Sequence, residues 1–387
     1  MSTQGGFGGF GGFGGFGGFG GFGGFGGLGG FGGFGGFGGF GPYAGVAPES
    51  VIQNRDGIVG TWTPVATAAM PAPRPQETPA ELERWEAWVR AAAIDFDLLS
   101  HLHFGADTNG YTLWHVDVPL TGAGNTATAS RGRIVNLVGP AAATADAFWT
   151  AQLDIVANYA DLREDRAAEI LSQLVPPVAF WSTVVNLHPE RTKWTLELLG
   201  VALRLANFAE MRFKHAFAYR RPVAMSPQIQ PMILTPGHGT LPSGHATEAH
   251  IVAYVLWRLL ATVSPRYVAW EDQLMRQAAR IAINRTVAGV HFPADSAAGQ
   301  LLGLSLGEYL VHRAIAASPT ATYTSWCFDG TRFTPSSDFD WTLMYTLGTG
   351  HVAPAAGFGP KIGNNTELAG PSALLGWLWG KALGEWT

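Results

Sequence analysis

The chain is poor in several features that would assign a protein to a common class. It holds one cysteine, Cys327, which excludes an intrachain disulfide framework and fits a reducing compartment. The formal net charge of −5 is mild, and only 14% of the residues are charged. No block of lysine or arginine is present, so we predict no nucleic-acid partner.

The sequence also predicts neither a secretory signal nor a membrane span. The N-terminal stretch "MSTQGGFGGF" has neither a basic region nor a continuous apolar region, so it does not predict a secretory signal. The apolar stretch most worth testing as a membrane span, residues 170–189, contains two adjacent prolines and several polar residues. We therefore expect a soluble protein without a membrane span, cytoplasmic by default.

Glycine and phenylalanine, in contrast, are concentrated at one end. Residues 5–41 hold 25 of the 52 glycines and 11 of the 23 phenylalanines in a three-residue repeat. Residues 1–41 are interpreted first as a disordered, weakly adhesive tail, because so much glycine makes ordering costly. In the alternative, a polyproline-II helix with three residues per turn aligns the phenyl rings in one stripe. That stripe would support a homo-oligomer or a larger assembly.

The rest of the sequence divides by composition. Residues 42–77 resemble a Pro/Ala-rich linker, residues 78–317 an α-helical catalytic domain, and residues 318–387 a Gly/Pro/Trp-rich C-terminal segment packing on that domain. A first helix is predicted to start at Thr78, as N-cap. Further helical patterns lie at about 143–175, 192–218, 243–263, 270–288 and 294–316.

The fold class follows from these patterns. Residues 104–140 contain short β-like runs such as "TLWHVDV", but strands and helices do not alternate along the sequence. A parallel α/β sheet is therefore not expected. The predicted fold is all-α, a helical bundle.

The stretch "TPGHGTLPSGHATEAH" carries His238, His245 and His250 within thirteen residues. His250 is five residues beyond His245, so it points well round a helix that starts near Ser243. The spacing does not match a helical zinc motif, and cysteine ligands are missing. We therefore do not expect one metal ion held by all three histidines.

Cationic residues flank this stretch on both sides. Upstream, "KHAFAYRRP" carries Lys214 and Arg221, which are two helical turns apart if Pro222 ends the helix. Downstream lie Arg285, His291 and Asp295. Each charge alone is more simply a solvated helix charge or a surface pair, but the set in this order predicts a cationic pocket for a small anion.

The start of a helix at "PSGH" would add to such a pocket. Ser243 and Gly244 would sit at the helix start, where free N–H groups and the helix dipole favour an oxyanion.

Together, Lys214 to Pro222, residues 242–245, and residues 284–295 resemble the three-part signature of the type 2 phosphatidic acid phosphatase and vanadium haloperoxidase superfamily. The resemblance covers roughly residues 195–310. Asn284 departs from it, because the family usually has serine there.

The resemblance implies a helical bundle around a bound oxyanion. Lys214, Arg221 and Arg285 would neutralise its oxygens, and Ser243 and Gly244 would donate hydrogen bonds.

Three further roles are implied by the resemblance. His291 would bind the central atom, with vanadate as the cofactor, while Asp295 fixes its tautomer. His245 would be the general acid/base. His238 lies where some bromide-oxidising members have histidine on the halide side.

Three functions remain open at this stage. The favoured one is a vanadate-dependent haloperoxidase acting on hydrogen peroxide and halide. A phosphatase that hydrolyses phosphoesters through a phosphohistidine on the same site is the second. The third is a self-assembling structural protein that uses its Gly/Phe tail.

Overall fold

A computed structural model describes most of the residues that follow the Gly/Phe repeat. The described residues are 48–60, 68–74, 78–107, 110–118, 130–140, 145–175, 178–348, 358–359 and 361–387. The repeat at residues 1–41 and much of the predicted linker lie outside them, so the expectations for the tail and its assembly stay predictions.

Helices make up most of the described residues. In sequence order the α-helices are α1 (Pro48–Val59), α2 (Ala87–Ser100), α3 (Ala145–Asn158), α4 (Arg163–Ser172), α5 (Val178–Trp181), α6 (Lys193–Phe217), α7 (Pro222–Met225), α8 (Gly244–Val263), α9 (Trp270–Val287), α10 (Pro293–Ile315) and α11 (Ala373–Leu383). The predicted helices for α6, α8, α9 and α10 agree with these bounds to within a residue or so, because each carries a long apolar face.

The prediction of an all-α fold is wrong. A five-stranded sheet packs beside the helices, with its strands in sequence order across the sheet. The strands are β1 (Leu102–Asp107), β2 (Gly110–Asp117), β3 (Ser130–Val138), β4 (Thr322–Asp329) and β5 (Lys361–Leu368). The neighbouring pairs are antiparallel except β3 and β4, which run parallel.

Long-range pairing explains why composition missed the sheet. β3 lies at its centre, and the side chains of Ile134, Val135 and Leu137 are fully buried there. Its partner β4 follows the whole helical region, so no local alternation of strand and helix announces the pair. The pattern that argued against a parallel α/β sheet involves neighbouring segments only.

α8 is the central helix of the bundle and packs against α6, α9 and α10. Its contact with α10 is very close at Gly303, where an added Cβ would lie 2.3 Å from the carbonyl oxygen of Thr247. Only glycine allows two helix backbones to approach so closely. The approach brings the start of α10 against the start of α8. The three segments of the predicted signature are called its arms: residues 214–222 are the first, 242–245 the second and 284–295 the third. The second and third arms lie where α8 and α10 begin.

Two predicted helix boundaries need correction. α6 ends at Phe217, and Ala218 adopts the left-handed conformation (φ 53°) that stops a helix. Arg221 therefore does not share a helix face with Lys214; it precedes Pro222, the first residue of α7. The predicted helix start at Thr78 is also wrong, because α2 begins only at Ala87.

The C-terminal segment contacts the beginning of α6. The Glu385 carboxylate accepts hydrogen bonds from the backbone N–H groups of Trp194 and Thr195, both at 2.8 Å. Trp386 donates its indole N–H to the hydroxyl of Thr195. The C-terminal residues thereby supply the acceptors that the first turn of α6 lacks.

Within the described residues, none of the helices combines the length and apolarity needed to cross a bilayer.

Candidate active site

The three motif arms meet where α8 and α10 begin. The backbone N–H of Ser243 donates to the carbonyl oxygen of Asp295 over 2.9 Å, which ties the second arm to the third. Ser243 is the N-cap of α8 and its hydroxyl accepts from the N–H of Ala246. The first N–H groups of α8, including that of Gly244, have no acceptor within the helix and suit an oxyanion.

The tautomer of His291 is set by its two neighbours. Its Nδ1 lies 3.0 Å from Oδ2 of Asp295, and its Nε2 lies 2.8 Å from Nη1 of Arg221. A guanidinium only donates, so Nε2 is an acceptor and the ring proton is on Nδ1. The hydroxyl of Thr240 also donates to Oδ2 of Asp295. His291 thus presents a lone pair on Nε2, which is what a nucleophile or a ligand nitrogen requires.

Lys214 enters from the last turn of α6 and is almost completely buried. Its ammonium donates to the carbonyl oxygens of Thr240 (3.2 Å) and Pro242. These two carbonyls lie just before Ser243, so the lysine sits beside the helix start of the second arm.

Arg221 links His291 to the loop that carries His238. Besides His291, its guanidinium donates to the carbonyl oxygens of Val290 (2.8 Å) and His238 (3.2 Å). Its Nη2 lies 3.1 Å from Nδ1 of His238, whose side chain is half-buried. The structure therefore brings His238 to the edge of the site.

Arg285 approaches from the end of α9, and only one of its three nitrogens is engaged. Its Nη2 donates to the side-chain oxygen of Gln173 (2.9 Å) and to the carbonyl oxygen of Ile170 (3.4 Å). Its Nε and Nη1 are buried, with no hydrogen-bond partner among the described residues. Buried guanidinium N–H groups without acceptors are costly, which suits a site built to receive an anion.

His245 lies in the first turn of α8, with Nε2 2.8 Å from the backbone carbonyl oxygen of Gln173. A carbonyl only accepts, so Nε2 carries the proton and Nδ1 is the free acceptor. Burial, followed by the charge of Arg285, lowers the pKa of His245 to about 3. His245 is therefore neutral near pH 7 while no anion is bound.

Two buried carboxyl groups border the cationic arms. Glu210, one turn before Lys214 on α6, packs against Gly244, where an added Cβ would lie 2.5 Å from its carboxylate oxygen. Burial raises the pKa of Glu210 to about 7 and lowers that of Lys214 to about 7. Burial and the neighbouring Glu210 also raise the pKa of Glu248 well above its usual range. The charge of the pocket therefore changes near neutral pH.

All of the predicted site residues come together in this region: Lys214, Arg221, His238, Ser243, Gly244, His245, Arg285, His291 and Asp295. His250 does not join them, because it is buried in α8 with its Nδ1 on the carbonyl oxygen of Ala246. Gln173, Thr240 and Glu210 were missed. Glu210 carried a weak signal, an acid four residues before the lysine on one helix face.

The residues from α6 to the end of α10 have known relatives. Residues 195–317 match the sequence family described as the PAP2 superfamily. This part of the chain belongs to the PAP2 superfamily. No curated protein sequence gives a significant match to the chain.

Among solved structures, the chain is similar to a transmembrane PAP2-type phosphatidylglycerolphosphate phosphatase from Bacillus subtilis. The two share 18% sequence identity over 44% of this chain and 85% of that one, with a TM-score of 0.29.

Proposed function

We propose that the pocket binds a tetrahedral oxyanion, and that with vanadate in this position the protein oxidises halide with hydrogen peroxide. The observation that supports this most directly is a pair of histidines beside cations, His291 next to Arg221 and His245 next to Arg285. The Nε2 lone pair of His291 lies against Arg221, while Arg285 holds two N–H-bearing nitrogens without an acceptor among the described residues.

The residues present fit vanadate. His291 would hold the central atom through Nε2, and Lys214, Arg221 and Arg285 would compensate its negative oxygens. Gly244 offers a helix N–H without a side chain in the way. When bound, vanadate supplies Lewis-acid activation of hydrogen peroxide, so that halide is oxidised to hypohalous acid.

His245 can supply the proton acceptor that the peroxidase needs. Oxidation of halide by hydrogen peroxide requires a base that accepts a proton from the peroxide. The protonated Nε2 of His245 is held by Gln173, so Nδ1 is the atom that receives the proton. The low pKa of His245 keeps Nδ1 free at neutral pH. His238 lies beside Arg221, and we assign it the role of influencing halide access.

Hydrolysis of phosphomonoesters is the second candidate, and the PAP2 match together with the His291 tautomer supports it. His291 Nε2 would attack phosphorus, the ester P–O bond would break, and the departing alkoxide would take a proton from His245. Water would then attack the phosphohistidine and release phosphate. This sequence needs His245 to be protonated first, which the dianion must bring about by raising its pKa.

Paired assays on the purified full-length protein test both functions. Protein loaded with orthovanadate is given hydrogen peroxide and bromide, chloride or iodide, and halogenation of a phenol is followed; an aryl phosphate is offered without vanadate. We expect halogenation by the wild type. His291→Ala should lose retained vanadium and at least about a thousandfold in rate, and His245→Ala should keep vanadium but lose about a hundredfold.

His215→Ala is the matched control, since His215 is an exposed histidine next to Lys214 on α6. It should leave both assays unchanged. Rapid phosphate release with no turnover of any halide would make the phosphatase the function.

A further inference from the structure

Gln173, which follows the last residue of α4, touches two arms of the pocket at once. Its backbone carbonyl accepts from Nε2 of His245 over 2.8 Å. Its side-chain oxygen accepts from Nη2 of Arg285 over 2.9 Å. The side chain is fully buried although it lies at the end of a surface helix. One residue therefore contacts both the acid/base and an anion-binding cation.

Asn284 fixes the position of Gln173. Its side-chain N–H group donates to the Gln173 oxygen and to Glu169, both at 3.0 Å, and its oxygen accepts from Arg166 at 3.0 Å. Asn284 is itself fully buried on α9, directly before Arg285. A serine at this position has one hydroxyl and a shorter reach, so it cannot make all three contacts.

α4 is held in place at both of its ends. At its start, Arg163 donates to the carbonyl oxygens of Val287, Ile229 and Gln230 at 2.9 to 3.0 Å. At its end, Glu169 pairs with Arg280 of α9. These contacts hold the carbonyl groups of Ile170 and Gln173 beside Arg285 and His245.

The neutrality of the Gln173 amide matters for the anion. A carboxylate at this position would pair with Arg285 and cancel the charge that an oxyanion needs. A neutral acceptor orients the guanidinium while its positive charge and its free Nε and Nη1 remain available.

We propose that Gln173 is a positioning residue of the oxyanion pocket. Its backbone carbonyl selects the His245 tautomer with a free Nδ1, its amide oxygen aims Arg285 without neutralising it, and Asn284 holds it in place. The inference rests on the proposed oxyanion site and adds a residue from outside the three motif arms.

Binding of inorganic phosphate to the full-length protein, measured by calorimetry at pH 7, tests the side-chain role. Gln173→Glu should weaken phosphate binding at least about tenfold, because the new carboxylate pairs with Arg285. Gln173→Ala should weaken it about three- to tenfold, since Arg285 keeps its charge but loses its holder. Ser172→Ala, a change to an exposed neighbour that bonds only within α4, should bind as the wild type does.

The His245 tautomer gives a second readout that a merely structural role would not move. Nitrogen-15 NMR of the imidazoles should show the Nε2–H tautomer in the wild type and in Gln173→Ala, whose backbone carbonyl is unchanged. Asn284→Ser leaves that carbonyl unchanged as well, so it should keep the tautomer and weaken phosphate binding about as Gln173→Ala does. A mixture of tautomers in the wild type would overturn the role of the Gln173 carbonyl. Melting curves of each variant check that it is folded.

Each result has a consequence. If folded Gln173→Glu and Gln173→Ala bind phosphate as tightly as the wild type does, the positioning role is overturned and the oxyanion site remains. Failure of the wild type to bind either phosphate or vanadate overturns the oxyanion site itself, and the positioning role with it.

Discussion

At the scale of single residues, Lys214 and Glu210 make the pocket sensitive to pH. Both are buried and one helical turn apart, and each has a pKa of about 7. A bound anion favours the ammonium form of Lys214 and the neutral form of Glu210. The affinity for an anion is therefore highest below pH 7 and falls as the pH rises through 7. The other charged groups that act on the pair are Arg221, Glu248 and Asp295, and Lys214 in turn acts on His238, His245 and His291.

Sulfate is the probe that isolates this effect, because it binds no proton across the neutral range. We expect the affinity of the wild type for sulfate to fall by up to about tenfold per pH unit above about pH 7. Lys214→Arg should flatten the curve, since a guanidinium keeps its charge. Flattening by Glu210→Gln alone would assign the titration to the carboxyl, and a flat wild-type curve would contradict the prediction.

The residues of the site differ in how visible they were in the sequence. Three short segments resemble a known family signature, and that resemblance predicted five of the site residues: Lys214, Ser243, His245, Arg285 and His291. Gln173 was not predicted, since it reaches the pocket only through the packing of α4 on α9. A tertiary contact of this kind leaves no periodic pattern in either segment.

At the scale of elements, the contact between α8 and α10 holds the second and third arms together. Gly303→Ala places a methyl group 2.3 Å from the Thr247 carbonyl oxygen, and a backbone oxygen cannot move aside. We expect a loss of about 1–3 kcal/mol in the free energy of unfolding and weaker phosphate binding. Denaturant titration and calorimetry measure the two effects.

Gly380→Ala in α11 is the matched control for this substitution. It also lies within a helix, but an added Cβ there meets nothing within 4 Å. It should raise stability by about 0.5–1 kcal/mol, as the replacement of a helical glycine normally does. Equal effects of the two changes would show that the close approach of α8 and α10 carries no energetic weight.

Helices and strands were unequally predictable. α8 and α10 each carry a continuous apolar pattern over twenty or more residues, so their bounds followed from the sequence. β4, "TYTSWCFD", lies between β3 and β5 in the sheet. One of its partners is β3, far earlier in the sequence. A local sequence pattern does not reveal a pairing over that distance.

At the scale of the whole molecule, the C-terminal residues contact the start of α6, the helix that carries Lys214. Glu385 caps the start of α6, whose own N-cap residue, Thr192, makes no side-chain capping bond. We expect Glu385→Ala to lower the free energy of unfolding by about 1–2 kcal/mol, because two backbone N–H groups lose their acceptors. Thr387→Ala, at an exposed residue nearby, should change stability little.

The Glu385 substitution should leave phosphate affinity unchanged in the folded protein. Lys214 lies at the other end of α6, about 30 Å from the capped turn at a rise of about 1.5 Å per residue. Loss of phosphate binding without loss of stability would mean that the C-terminal residues act on the pocket directly.

The two strands of the parallel pair, β3 and β4, are synthesised far apart in time. During synthesis β1, β2 and β3 appear first, and the helices that carry the candidate site residues follow before β4. Until then the outer edge of β3 exposes unpaired N–H and carbonyl groups, a template for another nascent strand. The sheet is therefore completed only after the helices α2 to α10 have been made. Polypeptides that terminate before Thr322 will carry an open edge and will tend to aggregate.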